Sequence, residues 1–161
     1  MKEYIEYYQR NKQLDKMYEE KYGSIDNKCY EKNCLELIVE ICELCNESKC
    51  FKYWTIKKPK MEDVYEELAD CITMILTMYY VLDLELDSLK EHHTSSDVLE
   101  IINYIYSQGT KLMKDINEDL VKDLLSNLFY LAELLNLDKE EIYKILSYKQ
   151  DKVEERLNSD Y

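Results

Sequence analysis

Residues 34–45 read Cys34-Leu-Glu-Leu-Ile-Val-Glu-Ile-Cys-Glu-Leu-Cys45. Wound as a helix, at about 100° per residue, this stretch sets Glu36, Glu40, Glu43 and the following Glu47 in one narrow stripe. Leu35, Leu37, Ile38, Val39, Ile41, Cys42 and Leu44 cover the rest of its surface. The wet face of a surface helix is wider than one residue, and no adequate set of Lys or Arg at i±4 neutralises this one. Carboxylates in such surroundings must be neutralised or bind a cation.

The next helical stretch repeats the pattern. Between Glu62 and Tyr80, Asp63, Glu67 and Asp70 fall at helical spacing before the chain turns almost wholly apolar. Two core helices can therefore face each other across Glu40-x-x-Glu43 and Glu67-x-x-Asp70. Four oxygen donors, Glu40, Glu43, Glu67 and Asp70, suit a hard divalent cation such as Mg²⁺, with Mn²⁺ as the alternative. A di-iron carboxylate bundle also gathers glutamates between helices but needs Glu-x-x-His motifs from two of them. The only histidines, His92 and His93, are adjacent residues in a polar connector.

Two glycines and one proline in 161 residues exclude most sheet architectures, whose many turns consume both. The expectation is all-α, an antiparallel bundle of about six helices forming a single domain over residues 1–161. The helices are expected from Lys2 to about Lys21, from about Lys28 to Ser48, and from Pro59 to about Leu84. A fourth is capped by Ser96 or Asp97 and runs to about Lys114, with Gly109 as a bend or weak point. A fifth starts around Asp115 and ends near Asn136, and Asp138 with Glu141 opens the last as a capping box.

A formal charge of −13 argues against a nucleic-acid duplex as partner, since phosphate-backbone binding needs clustered Lys and Arg. Any phosphate ligand must bring metal ions. Lys57, Lys58 and Lys60 form the main basic cluster, equally readable as a solvated loop. The N-terminus lacks the apolar core of a signal peptide and no stretch has the length of a membrane span, so a cytoplasmic protein with reduced thiols is expected. Cys42-x-x-Cys45 has no second pair to complete a zinc site, and both residues are read as buried and inert. In Phe51-Lys-Tyr-Trp54 the aromatics could stack a planar base while Lys52 meets phosphate, or could plug the core.

Glu36-Leu-Ile-Val-Glu-Ile-Cys-Glu-Leu-Cys-Asn-Glu47, the Cys50-Phe-Lys-Tyr-Trp54 segment and Glu66-Glu-Leu-Ala-Asp70 together resemble the dimeric all-α dUTP pyrophosphatases, within the wider MazG-like group of all-α NTP pyrophosphatases. Gln13-Leu-Asp15 and Lys149-Gln-Asp-Lys-Val-Glu-Glu-Arg-Leu-Asn-Ser-Asp-Tyr161 resemble that family's terminal motifs. Asn11 stands where the family has Gln, and Gln150, Val153 and Asp160 replace two Asn and a Gly. Residues 85–117 carry no such motif.

The resemblance implies Mg²⁺-dependent hydrolysis of dUTP, and also dUDP, to dUMP, with pyrophosphate released from the triphosphate, by a homodimer. It makes Glu43 the first choice and Glu40 the second for the proton-accepting carboxylate. Asn11, Gln13 and Trp54 are placed at the base, Lys52, Lys149 and Arg156 at the phosphates, and Asn158 at the substrate through its C-terminal motif. Two alternatives remain: a MazG-like pyrophosphatase of dCTP or of a broader range, and a non-catalytic helical regulator whose tyrosines, 16 in all, serve an interface.

Overall fold

The computed structural model describes residues 2–23, 27–86 and 89–159. These residues form six helices and no strand: α1 (Lys2–Tyr22), α2 (Asn27–Ser48), α3 (Met61–Val81), α4 (Val98–Leu112), α5 (Glu118–Leu134) and α6 (Lys139–Asn158). Helix α3 decides the arrangement. Val64, Leu68, Ala69, Cys71, Ile72, Ile75, Leu76, Met78 and Tyr79 are all buried, leaving little of its circumference polar beyond the first turns. A helix apolar on nearly every side must sit in the centre. Accordingly α3 packs against α1, α2, α5 and α6, while α4 bridges α2 and α5.

The helix starts follow from capping chemistry. Asp97 accepts from the Leu99 amide at 2.8 Å, Asn117 accepts from the Asp119 amide at 2.9 Å, and Asp138 and Glu141 form the expected reciprocal box. Of the two candidates for the fourth helix, Asp97 is therefore the cap. The third helix starts later than expected, at Met61 with Lys60 as its N-cap, so Pro59 precedes the helix and does not open it. It also stops earlier: Asp83, at φ 50°, lies in the left-handed region that ends helices.

Gly109 is buried inside α4, where a Cβ would meet the Cδ1 atoms of Ile38 at 3.0 Å and Ile41 at 3.2 Å. Its missing side chain lets α4 close on α2. Tyr4, Tyr7, Tyr8, Tyr30 and Tyr79 belong to the core, and the Tyr8 hydroxyl donates to the Leu84 carbonyl at 2.7 Å, tying the end of α3 to α1.

One expectation is corrected here. Cys45 is half-buried, but Cys42 is exposed. Helix α2 is covered by α3 and α4 on only part of its circumference, so Cys42 faces outward with Leu35, 54% exposed, and Val39, 46% exposed.

Candidate active site

Where α2 and α3 pack together, Glu40 comes from one side and Glu67 and Asp70, one turn apart, from the other. One carboxylate oxygen of each lies within 4.8 Å of the other two. Glu43 is exposed on α2 and outside that triplet, yet its charge raises the pKa of both Glu40 and Glu67. Burial is the larger cause for both, and together with the neighbouring carboxylates it pushes each up to about 7.

A cation from α6 answers part of this negative charge. The Lys149 ammonium donates to Asp70 Oδ2 at 2.6 Å and to Glu66 Oε1 at 2.9 Å, with only 13% of its side chain exposed. Burial still holds the Asp70 carboxyl above its ordinary value, although Lys149 pulls it down. Glu66, less buried, is drawn below the usual range by the same lysine.

Glu40 and Asp70 open onto a cavity of about 430 Å³ walled by four helices, whereas Glu67 and Glu43 are outside its lining. Asn11, Leu14, Asp15 and Tyr18 come from α1, Glu36 and Glu40 from α2, Asp70, Thr73, Met74 and Thr77 from α3, and Lys149, Gln150, Lys152, Val153 and Arg156 from α6. It is two-sided in chemistry, with carboxylates and cations around Asp70 and Lys149 and apolar or neutral polar groups around Leu14, Met74 and Thr77.

Of the residues expected at substrate, Asn11, Lys149 and Arg156 line this cavity. Gln13 is exposed on α1 and outside the lining. Lys52 donates to the Asn46 carbonyl at 2.9 Å and to Asn46 Oδ1 at 2.6 Å, which ties it to the end of α2. Trp54, 64% exposed, meets Phe51 and Tyr53 edge-on in the loop after α2. Asn158 lines a shallow cleft with Asp151, Glu154 and Glu155. The aromatic segment therefore plugs no core.

A sequence profile of the dUTPase family matches residues 5–161, nearly the whole chain. This chain belongs to the dUTPase family. Among curated proteins none matches the sequence. The all-helical bundle is the architecture expected of the all-α dUTPases, and family membership makes the chain a hydrolase of the nucleoside triphosphate diphosphatase type. Among the described residues no helix is long and apolar enough to cross a membrane.

Dependence on a divalent metal is general among such enzymes, and the dUTPase triplet fits one: three carboxylates with converging oxygens are a hard-donor set. Glu40, Glu67 and Asp70 would hold the ion.

Glu36, at one end of the glutamate stripe, also lines the dUTPase cavity, which contains further residues not singled out from the sequence as ligand-facing: Asp15, Thr73, Met74 and Thr77. A signal existed for some of them. Asn11 and Asp15 are an i, i+4 polar pair beside Leu14, and Thr73 and Thr77 continue the face of Asp70 at i+3 and i+7.

Asp15, 6% exposed, has its carboxyl pushed up to about 7 by burial, although Thr77 and Asn11 donate to it. Three carboxyls, Asp15, Glu40 and Glu67, thus hold protons in the fold that the unfolded chain releases near pH 4. Their stabilising contribution is complete below the unfolded values and is lost as pH rises through about 7. Thermal unfolding followed by circular dichroism in EDTA should therefore give a lower Tm at pH 8 than at pH 5.5. Adding Mg²⁺ should raise Tm at pH 8 far more than at pH 5.5, because the ligands must be ionised to bind.

Proposed function

We propose that the chain hydrolyses dUTP to dUMP and pyrophosphate with Mg²⁺ as cofactor, Mn²⁺ substituting, and that it accepts dUDP as a second substrate. The observation that carries this reading is the convergence of Glu40, Glu67 and Asp70 beside Lys149, with Glu40, Asp70 and Lys149 on the wall of a nucleotide-sized cavity, in a dUTPase-family chain. A bound divalent cation supplies charge neutralisation for phosphate oxygens and lowers the pKa of a coordinated water.

The chain's own groups divide the remaining work. Glu40, Glu67 and Asp70 would hold the cation, with Glu40 and Asp70 at the acidic side of the cavity. Glu43, one turn from Glu40, exposed and outside the triplet, is the carboxylate assigned to take a proton from the attacking water. Lys149, Lys152 and Arg156 form a cationic wall from α6 for the charge that develops on the departing pyrophosphate. The Asn11 side of the cavity takes the base. Gln13, Lys52, Trp54 and Asn158 lie outside the cavity, and the proposal gives them no contact with nucleotide inside a single chain.

We further propose that residues 1–161 act as one catalytic unit in a cytoplasmic homodimer. Leu35, Val39 and Cys42 form an outward apolar strip on α2, between the acidic face and α4, that a second copy could cover.

A panel of dUTP, dUDP, dCTP, dTTP and dATP, read by release of pyrophosphate or phosphate, tests the reading. Turnover should be highest with dUTP, vanish in EDTA, and return with Mg²⁺ or Mn²⁺. A preference for dCTP, or a flat profile, would replace this assignment with a MazG-like one.

A further inference from the structure

The inference concerns how the cavity selects a base, and it rests on the reading that a deoxynucleotide binds there. Asn11 is only 2% exposed, yet it lines the cavity. Its Nδ2 donates to Asp15 Oδ2 at 2.8 Å, and the other oxygen, Asp15 Oδ1, accepts from the Thr77 hydroxyl at 2.9 Å. At pH 8, where Asp15 has lost its proton, the carboxylate can only accept, so the amide NH₂ of Asn11 must face it; the reverse orientation would set two acceptors against each other. Asn11 Oδ1 is the atom left for the cavity, and among the described residues no hydrogen bond occupies it.

The position of this oxygen matters as much as its polarity. Thr77, which holds Asp15, lies two turns beyond Asp70 on α3, a separation of about 10 Å along the axis. A nucleotide with its phosphates at Asp70 and Lys149 can thus bring its base to Asn11. Uracil carries an N3–H donor where cytosine has a bare N3 acceptor. A fixed carboxamide oxygen rewards the first and repels the second, and a buried polar group left facing a like partner is penalised strongly.

We propose that Asp15 is a positioning residue for base selection: by holding the Asn11 carboxamide with its oxygen toward the cavity, it favours bases with an imide N–H over cytosine. Both Asp15 oxygens already accept hydrogen bonds within the protein, so it acts through Asn11. Thr77 donates to the other carboxylate oxygen and does not itself meet the amide.

The test is the ratio of kcat/KM for dUTP over dCTP at pH 8, with Mg²⁺, in wild type and in Asp15→Asn. The variant offers Asn11 both a donor and an acceptor, so the carboxamide can turn either way. The ratio should fall by about tenfold or more, through a higher KM for dUTP with its kcat within about threefold of wild type. Asp15→Ser, which removes the carboxylate with less bulk, should do the same and replaces the first variant if that one does not fold. Thr77→Val removes a neighbouring hydrogen bond but leaves Asn11 facing Asp15, and should keep most of the selectivity. A dUTP-selective wild type whose ratio survives in the folded Asp15 variant overturns the role of Asp15 alone, leaving the dUTPase reading intact. Equal losses of kcat for both nucleotides also overturn it, as a structural defect. A wild type that hydrolyses neither nucleotide, or both equally, overturns the nucleotide reading and this inference with it.

Discussion

Glu40→Gln and Glu67→Gln should each lower Mg²⁺-dependent turnover of dUTP on the order of a thousandfold, while the variants melt no lower than wild type at pH 8. The first half follows from the donor set: with three converging carboxylates, replacing one removes a ligand and a charge from the cation's place, and several kcal/mol of transition-state stabilisation is worth a factor of about 10³. The second half follows from the raised carboxyls. Glu40 and Glu67 are held up to about 7 by burial and by each other's neighbours, so their ionised forms are a burden on the metal-free fold at pH 8. A neutral isostere relieves that burden. Glu43→Gln should separate from this pair: turnover falls about 10² to 10⁴-fold for loss of a general base, while Mg²⁺ binding, measured by calorimetry, weakens far less. If Glu40→Gln and Glu67→Gln retained most of their activity, the triplet would not be the metal site.

Lys149→Met should move two quantities in opposite directions. The ammonium now competes with any divalent cation for Asp70 Oδ2, which it holds at 2.6 Å, so its removal leaves a more negative site and tighter Mn²⁺ binding. Turnover should nevertheless fall, by about a hundredfold, because the cation nearest the carboxylates no longer answers the charge on the leaving group. In the absence of metal the variant should lose about 2 kcal/mol of stability, since Asp70 keeps its burial and loses its ionic partner. Weaker Mn²⁺ binding in the variant would show that Lys149 supports the ligand and does not rival the ion.

Much of this architecture was legible in the sequence because two signals reinforced each other. The scarcity of glycine and proline excluded sheets, and the long apolar run after Asp70 marked α3 as a core helix. Glu40, Glu67 and Asp70 were visible as carboxylates misplaced among apolar residues. What stayed hidden was rotational. A stretch such as residues 34–45 looks apolar on both sides of its stripe, and nothing local says that α3 and α4 cover only part of it, which is why Cys42 emerges exposed. The loop after α2 posed the converse problem: Phe51, Tyr53 and Trp54 have core-like chemistry, but the turn formed by Lys49 to Thr55 directs them outward. Asp15 was read only as part of a terminal motif, because its burial depends on Thr77, distant in the chain, coming opposite it.

That outward loop has a practical consequence. Trp54 is the single tryptophan of the chain, and at 64% exposure it already sits largely in water. Its emission should be red-shifted in the native protein and change little on denaturation, so the intrinsic fluorescence that reports unfolding in most proteins would be nearly silent here. The same residue becomes a sensitive beacon for anything that covers it. A blue shift on raising protein concentration, or on adding nucleotide and metal, would report docking at the end of α2 without a label.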